Sequence, residues 1–368
     1  MRYVAIRLYY MVKLKIKLGK SGFMERSITI VPHWGPSFKI VSSYVGKALR
    51  ERSYNTHVIE STRYFSYITD IIRKNHYKGI IIFIGNFNAY LWFLKYLISA
   101  RAFLQRIIFY GVVEGPLRKD YGSYLFYSLI DDIIVASRYG TSRLKEIGVK
   151  PTAVVPHAID VYEFERICSN IRGKQDDKVV LFTPISALVP RKGLSIYLKA
   201  LGQILNERSD LVERIKVILK VPEPIEVPSE LKRMVNVISG WLDRASVIQQ
   251  YCNSDVVVIP SLNEGFSLPI IESFTAGKPV ISLDAPPMNE LNSNKYGWLV
   301  KVRQSKIVGD NEYFIPDIDD FVRKIIDAVE DNEKRILYSK KVSEIRWKYH
   351  YQFTYKIFDY LITDKNML

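Results

Sequence analysis

Cysteine, histidine and long apolar runs are all scarce in this chain, and each scarcity removes a class of protein. The two cysteines, Cys168 and Cys252, stand far apart without a CxxC partner, so their spacing suggests neither a disulfide framework nor a zinc knuckle and fits a reducing compartment. The five histidines are scattered, with no HExxH-like spacing, and no catalytic metal is expected. A membrane-crossing helix needs a run of roughly 18 or more apolar residues. The longest candidates, Ile80 to Ile84 and Tyr90 to Ile98, are interrupted by Gly85, Asn86, Asn88 and Lys95, so the chain is not expected to span a membrane. No short-period repeat or low-complexity tract is present.

Acidic residues are also in deficit. Asp and Glu number 38 against 53 Lys and Arg, a net charge of +15, and such a field attracts phosphates, anionic lipid heads or nucleic acid. The first 26 residues mix Lys, Arg and Tyr with aliphatics, but no small-residue cleavage site follows, so they do not read as a signal peptide. A surface strand or helix is the plain expectation there, and a basic, aromatic foot on an anionic membrane the alternative. A cytoplasmic protein, peripheral at a membrane surface in the second case, is implied.

What remains is a globular composition, 48% apolar and 25% charged over 368 residues, long enough for two domains of roughly 100 to 200 residues each. Short β-rich runs alternate with helical stretches, which favours parallel sheets with crossover helices. Strands are predicted at 27–31, 56–59, 79–84, 106–110, 132–136 and 151–156, with a helix over Ser42 to Glu51. A polar stretch, Ser169 to Lys178, reads as a linker. A second series of strands follows at 178–182, 215–220, 235–238, 255–259 and 279–282, with helices near 193–205 and 245–252. The domains are therefore placed at 1–168 and 169–345, with a C-terminal helix, 346–368, packing back on the first. Its aromatic run, from Trp347 to Tyr360, is expected to be a packing face that bridges the lobes.

The chemistry concentrates at Glu264-Gly265-Phe266-Ser267-Leu268-Pro269-Ile270-Ile271-Glu272. A buried strand runs into a glycine-containing turn, and a helix starts near Leu268 with Pro269 in its first turn, where a missing N–H costs nothing. Ser267 is a candidate N-cap. A helix N-terminus at the carboxyl end of a parallel strand offers free N–H groups and a positive dipole end, which suits a diphosphate. Gly265 would let the backbone approach a ligand. Glu264 before the turn and Glu272 one turn into the helix can accept from hydroxyls on different parts of one ligand. From spacing alone, two solvated surface charges is the plainer reading.

This block, followed by Ser273-Phe274-Thr275-Ala276-Gly277-Lys278-Pro279-Val280-Ile281, resembles the signature of the family 4 retaining glycosyltransferases. Leu188 to Leu194 resembles that family's phosphate-binding turn, with Lys192 in place of its lysine. The stretches 132–164 and 237–242 resemble further family segments. The resemblance covers roughly residues 27 to 360. It implies an α/β GT-B fold, two Rossmann-like doubly wound domains facing a cleft, and transfer of a hexosyl group from a nucleotide-diphosphate sugar with retention of configuration and without a metal cofactor. It further implies that Lys192, helped by Arg191, neutralises the leaving diphosphate, that Glu264 holds the transferred sugar, and that Glu272 holds the ribose hydroxyls. Backbone N–H groups of Gly265, Phe266, Ser267 and Leu268 would hold sugar and phosphate. Gly240 and Trp241 would lie near the base, and Gly35 and Pro36 near the donor phosphates.

The chain departs from the family at Ser186 and Ala187, where a glycine and an arginine are usual, so one positive charge is missing unless Arg191 replaces it. No histidine follows the fourth strand; Glu114 is the candidate substitute, a structural turn residue being the alternative. Lys220 is a candidate phosphate contact or a plain surface lysine. His157, in place of an asparagine, and His33 are candidates for the site or for structural hydrogen bonds. The expected partners are a nucleotide sugar and an acceptor, lipid-linked, glycan or protein. A glycosidase would set its carboxylates roughly 5 to 10 Å apart across the scissile bond, which the helix placement disfavours. The alternative from another class is a basic protein that binds nucleic acid or sugar nucleotides through a degenerate site, although no nucleic-acid module motif is visible.

Overall fold

The computed structural model describes residues 27–59, 79–171 and 177–364. The basic N-terminal 26 residues, and both readings of them, lie outside the described residues. The first lobe is a six-stranded parallel sheet of β1 (Ile28–Pro32), β2 (Thr56–Val58), β3 (Ile80–Asn86), β4 (Arg106–Val112), β5 (Asp132–Val135) and β6 (Ala153–Val154), in the order β2-β1-β3-β4-β5-β6. The second holds β7 (Val179–Pro184), β8 (Ile215–Val221), β9 (Val235–Ser239), β10 (Val256–Ile259), β11 (Val280–Leu283) and β12 (Gly297–Val300), in the order β12-β11-β10-β7-β8-β9. Nearly every residue of β1, β3, β4, β7 and β10 is buried, the signature of strands covered on both faces by crossover helices. This is the doubly wound α/β pattern that the alternation predicts.

Helix α1 (Pro36–Arg50) begins six residues before the predicted Ser42, because Pro36 is tolerated in a first turn and Gly35 serves as the N-cap. It buries Val41, Tyr44, Val45, Ala48 and Leu49 against the first sheet. The chain's last segment lies on this helix: Tyr351 stacks on Tyr44 with ring centroids 5.8 Å apart, and Tyr54 donates to Asp359 at 2.5 Å. The backbone of Ile159, just past β6, bonds the carbonyl of Tyr349 and the N–H of Tyr351.

Two features overturn sequence expectations. Cys168, at the end of α2 (Val161–Cys168), and Cys252, in α3 (Arg244–Asn253), are joined by a disulfide with Cα atoms 5.4 Å apart. The expectation of no disulfide falls, and with it the cysteine argument for a reducing compartment; the bond joins cysteines 84 residues apart. The second feature is an antiparallel hairpin, β13 (Val302–Val308) and β14 (Asn311–Pro316), which the alternation did not predict. It leaves the second lobe and reaches the first. The Glu312 N–H donates to the Glu114 carbonyl at 2.9 Å, Arg118 pairs with Asp310 at 2.9 Å, and Tyr139 donates to Glu312 at 2.8 Å. A Cβ on Gly115 would stand 2.4 Å from the Asp310 carbonyl oxygen, so this glycine is what allows the hairpin to seat.

No helix among the described residues is long and apolar enough to cross a membrane.

Candidate active site

The site is assembled by two turns of the second lobe and one of the first. In the turn after β7, Gly193 has φ +69° and a Cβ there would fall 1.9 Å from the Pro260 carbonyl oxygen, so only glycine fits. That close approach seats the turn against the end of β10, and the Leu262 N–H donates to the Arg191 carbonyl at 2.7 Å. As a result Lys192 Nζ lies 2.6 Å from Glu264 Oε1, both side chains about one-tenth exposed (11% and 9%). Arg191 Nη1 donates to the Asn263 carbonyl at 3.3 Å and stands 3.7 Å from Glu114 Oε1.

Glu114, at the carboxyl end of β4, enters this cluster from the opposite lobe. Asn86 Nδ2 donates to its Oε2 at 2.9 Å, and Asn263 Nδ2 donates to its carbonyl at 2.5 Å. Burial, reinforced by the nearby Glu264 carboxylate, pushes the Glu114 carboxyl above its ordinary range against the pull of Arg191 and Lys192. For Glu264 burial acts in the same upward sense, but the Lys192 and Arg191 charges outweigh it and hold that carboxyl low. Two carboxyls and two cations are thus packed with opposite proton affinities at the join of the lobes.

Helix α4 (Leu268–Thr275) starts beside this cluster; Pro269 lacks an N–H and the Ile270 N–H donates to the Ser267 carbonyl at 3.1 Å, which leaves the Leu268 N–H as the first-turn donor without a backbone acceptor among the described residues. Ser267 occupies the N-cap position but does not cap: its φ is +76° and its hydroxyl is buried without a hydrogen-bond partner among the described residues. The left-handed backbone turns the side chain away from the helix N–H groups. Gly265 abuts the first lobe. A Cβ there would meet Val112 Cγ2 at 2.6 Å, so the close approach it permits is to the first lobe. The Phe266 side chain is buried with its ring 4.8 Å from His157, which leaves its backbone N–H as the group able to meet a ligand.

Glu272 lies deeper. Tyr251 donates to its Oε2 at 2.8 Å and Arg244 Nη1 bonds its Oε1. Arg244, from the first turn of α3, also stands 3.8 Å from Glu163, which accepts from Tyr44 of α1 at 2.8 Å. Arg244, Glu163 and Tyr44, with Lys47, Asp160 and Arg166, line a cavity of about 570 Å3 between the lobes. Neither Arg244 nor Tyr251 was singled out from sequence, because an arginine after the N-cap Asp243 and a tyrosine on a helix carry no motif.

The other predicted residues fall into two groups. Gly35 and Pro36 follow β1 at the same sheet edge as Glu114. Lys220 is buried with Nζ 5.3 Å from the ring centroid of the exposed Trp241, and burial lowers its pKa; Gly240, φ +93°, turns the chain into Trp241. His157 is buried, with Nδ1 2.7 Å from the Tyr110 hydroxyl, and burial lowers its pKa to about 3, so it is neutral. His33 is packed among Trp34, Phe38, Trp92 and Phe93, and burial lowers its pKa to about 4. Among the described residues no group of three His, Cys, Asp or Glu side chains is arranged to hold a metal ion.

Residues 165–343 match the model of the glycosyl transferases group 1 family. The chain is 26% identical over 272 residues to an uncharacterized glycosyltransferase 335 of Sulfolobus islandicus rod-shaped virus 1, covering 69% of this chain and 79% of that one. It is 29% identical over 164 residues to an MMP alpha-(1->4)-mannosyltransferase of Mycolicibacterium hassiacum, covering 43% of this chain and only 38% of the relative. In structure it is similar to OtsA in its apo form (TM-score 0.68, 11% identity, 92% of this chain and 99% of that one). It is also similar to sucrose-phosphate synthase from Thermosynechococcus elongatus (TM-score 0.67, 14% identity, 93% of this chain and 100% of that one). The fold is GT-B.

Proposed function

We propose that this glycosyltransferase moves a hexosyl group from a nucleotide-diphosphate sugar to an acceptor with retention of anomeric configuration, in the manner of the family 4 enzymes and without a metal. The observation that carries the reading is that Lys192 lies on Glu264 and Arg191 on the Asn263 carbonyl, in the turn that leads into helix α4, with Glu264 before the helix start and Glu272 within it. A diphosphate set there faces two cations and a helix dipole, and these stabilise the charge that grows as the bond to the anomeric carbon breaks. Arg191 stands in for the arginine absent at Ala187, since its guanidinium already points into the acidic cluster. Glu264 accepts from hydroxyls of the transferred sugar and Glu272 from those of the ribose. Trp241 and Lys220 lie on the side of the base. Glu114 faces the sugar from the first lobe. The acceptor oxygen forms its bond on the face the diphosphate leaves, and its proton departs with the leaving group. His157 and His33 stay structural.

The deciding experiment incubates the protein with a panel of nucleotide sugars and acceptors in EDTA and follows nucleoside diphosphate release, with the anomeric proton of the product read by NMR. Release that survives EDTA, a retained anomer, and loss of turnover by about 100-fold or more in folded Lys192→Ala support the reading. An inverted product, or a Lys192→Ala variant as active as the parent, sinks it. Binding of nucleotide sugars without any release would select the degenerate binding protein instead.

A further inference from the structure

The parallel order of the first sheet puts the carboxyl ends of β1, β3 and β4 side by side at one edge. The segments that leave those ends carry large apolar side chains into solvent: Trp34 after β1, Leu91 after β3, and Tyr121 and Tyr124 after β4, with Tyr121 84% and Trp34 66% exposed. They leave the same end of the sheet. Trp34 is linked through the His33 ring to Trp92, the neighbour of Leu91 in sequence, and a Cβ on Gly122 would lie 3.5 Å from Leu91 Cδ2. The tip of the β13–β14 hairpin joins them. Its Asp310 pairs with Arg118, three residues before Tyr121, and its carbonyl accepts from Asn88 at 3.1 Å. Just before that turn stand Ile307 and Val308, also exposed.

Arg118, Lys119, Arg303 and Lys306 are exposed on the same segments, and among the described residues Lys119 and Lys306 make no ion pair. The local acids are engaged: Asp120 accepts from Tyr90 and from the Ser123 N–H, and Asp310 holds Arg118. Tyrosine and tryptophan beside unpaired lysines is the composition that settles at a bilayer interface, where the rings sit at headgroup level and the cations meet anionic lipid. These side chains project from separate segments, which suits an extended surface. We propose that this edge of the first lobe rests on an anionic lipid bilayer, which brings the mouth of the cleft to the membrane plane. The face is built from residues after the first 26, and the contact is separate from the transfer reaction itself.

The test is co-sedimentation of the full chain with vesicles of phosphatidylcholine, with and without phosphatidylglycerol. Binding to the anionic vesicles that weakens with salt is expected. The double variant Tyr121→Ser, Tyr124→Ser is expected to bind about tenfold more weakly, and Lys119→Gln and Lys306→Gln about fivefold more weakly each. Ile336→Gln, at an exposed apolar site of the second lobe, is expected to bind as the parent does. Each variant is also melted with nucleoside diphosphate; an unchanged stabilisation shows the donor site intact and keeps this result separate from the reaction proposed above. Vesicle binding that is absent, indifferent to phosphatidylglycerol, or unchanged in all the face variants overturns the proposal. In the last case another part of the chain carries the contact.

Discussion

Arg244 and Glu272 are locked together in the depth of the cleft: the guanidinium bonds one carboxylate oxygen while the Tyr251 hydroxyl donates to the other at 2.8 Å. A carboxylate has about four acceptor sites, so two remain, and the existing bonds fix where those sites point. In the role proposed for it on the ribose, Glu272 would be aimed before the donor arrives. Removing Tyr251's hydroxyl in Tyr251→Phe deletes one bond to a charged group, worth about 1.5 kcal/mol, and is expected to raise the donor KM several-fold with little change in kcat. Arg244→Ala leaves a carboxylate only 8% exposed without its cation. The loss is put at about 2 to 3 kcal/mol, below the figure for a fully buried pair because Arg244 is itself a quarter exposed. Melting curves and steady-state kinetics on both variants check this. Equal donor affinity in both would show that Glu272 needs no aiming.

The carboxyls of Glu114 and Glu264 give stability opposite slopes with pH. Glu114 is raised above its ordinary value of 4.5, so the folded protein binds its proton more tightly than the unfolded chain does. Its contribution is full below 4.5 and is lost as pH rises through the raised value. Glu264 is held below 4.5, so its contribution is present above that value and is lost as pH falls through the lowered one. Glu114→Gln removes the first slope alone. The variant's melting temperature is expected to gain on the parent's as pH climbs from about 4.5 toward neutrality, and thermal melts at half-unit steps read this directly. Parallel curves for the two proteins would mean that Glu114 is not perturbed.

The Cys168–Cys252 bond ties the end of α2 to α3, the helix that carries Arg244 and Tyr251. With a sequence separation of 84, closing the loop constrains the unfolded chain strongly, and losing the bond is expected to cost about 2 to 4 kcal/mol. Cys252→Ala and the reduced parent are expected to melt at the same lowered temperature, and reductant is expected to leave the variant unmoved. A parent that melts identically with and without reductant would show that the thiols are free in solution.

The two lobes could be read from the sequence because buried parallel strands are continuous apolar runs, as Val256 to Ile259 is. Lys192 and Glu264 could be noticed because each sits in a motif, and the structure places them 2.6 Å apart. The hairpin stayed hidden for a physical reason: β13 is exposed along nearly its whole length, so it carries no apolar alternation, although Gly309 and Asp310 mark its turn. The disulfide is a long-range contact, and no local spacing encodes it. Arg244 and Tyr251 act through geometry that only the packing of α3 on α4 creates. The wrong expectation at Ser267 had a different origin. Residue type alone argued for a cap, and the backbone angle that forbids it cannot be seen in one sequence.

That angle yields the last prediction. Ser267 sits at φ +76°, where an L-residue costs roughly 1 to 2 kcal/mol that glycine does not incur. Its buried hydroxyl lacks a partner among the described residues, which adds a desolvation cost. Against this, glycine loses more backbone freedom on folding, by roughly 0.5 to 1 kcal/mol. The balance favours Ser267→Gly by about 1 kcal/mol, a rise of roughly 2 to 4 °C in melting temperature for a lobe of this size. If the serine hydroxyl serves the donor, the same substitution is expected to raise stability and lower donor affinity together. Thermal melts with and without nucleoside diphosphate separate the two effects: a gain in the free protein with a smaller ligand-induced shift assigns the hydroxyl to the donor. An equal ligand-induced shift makes Ser267 a strained residue and nothing more, while a less stable free variant would refute the strain itself.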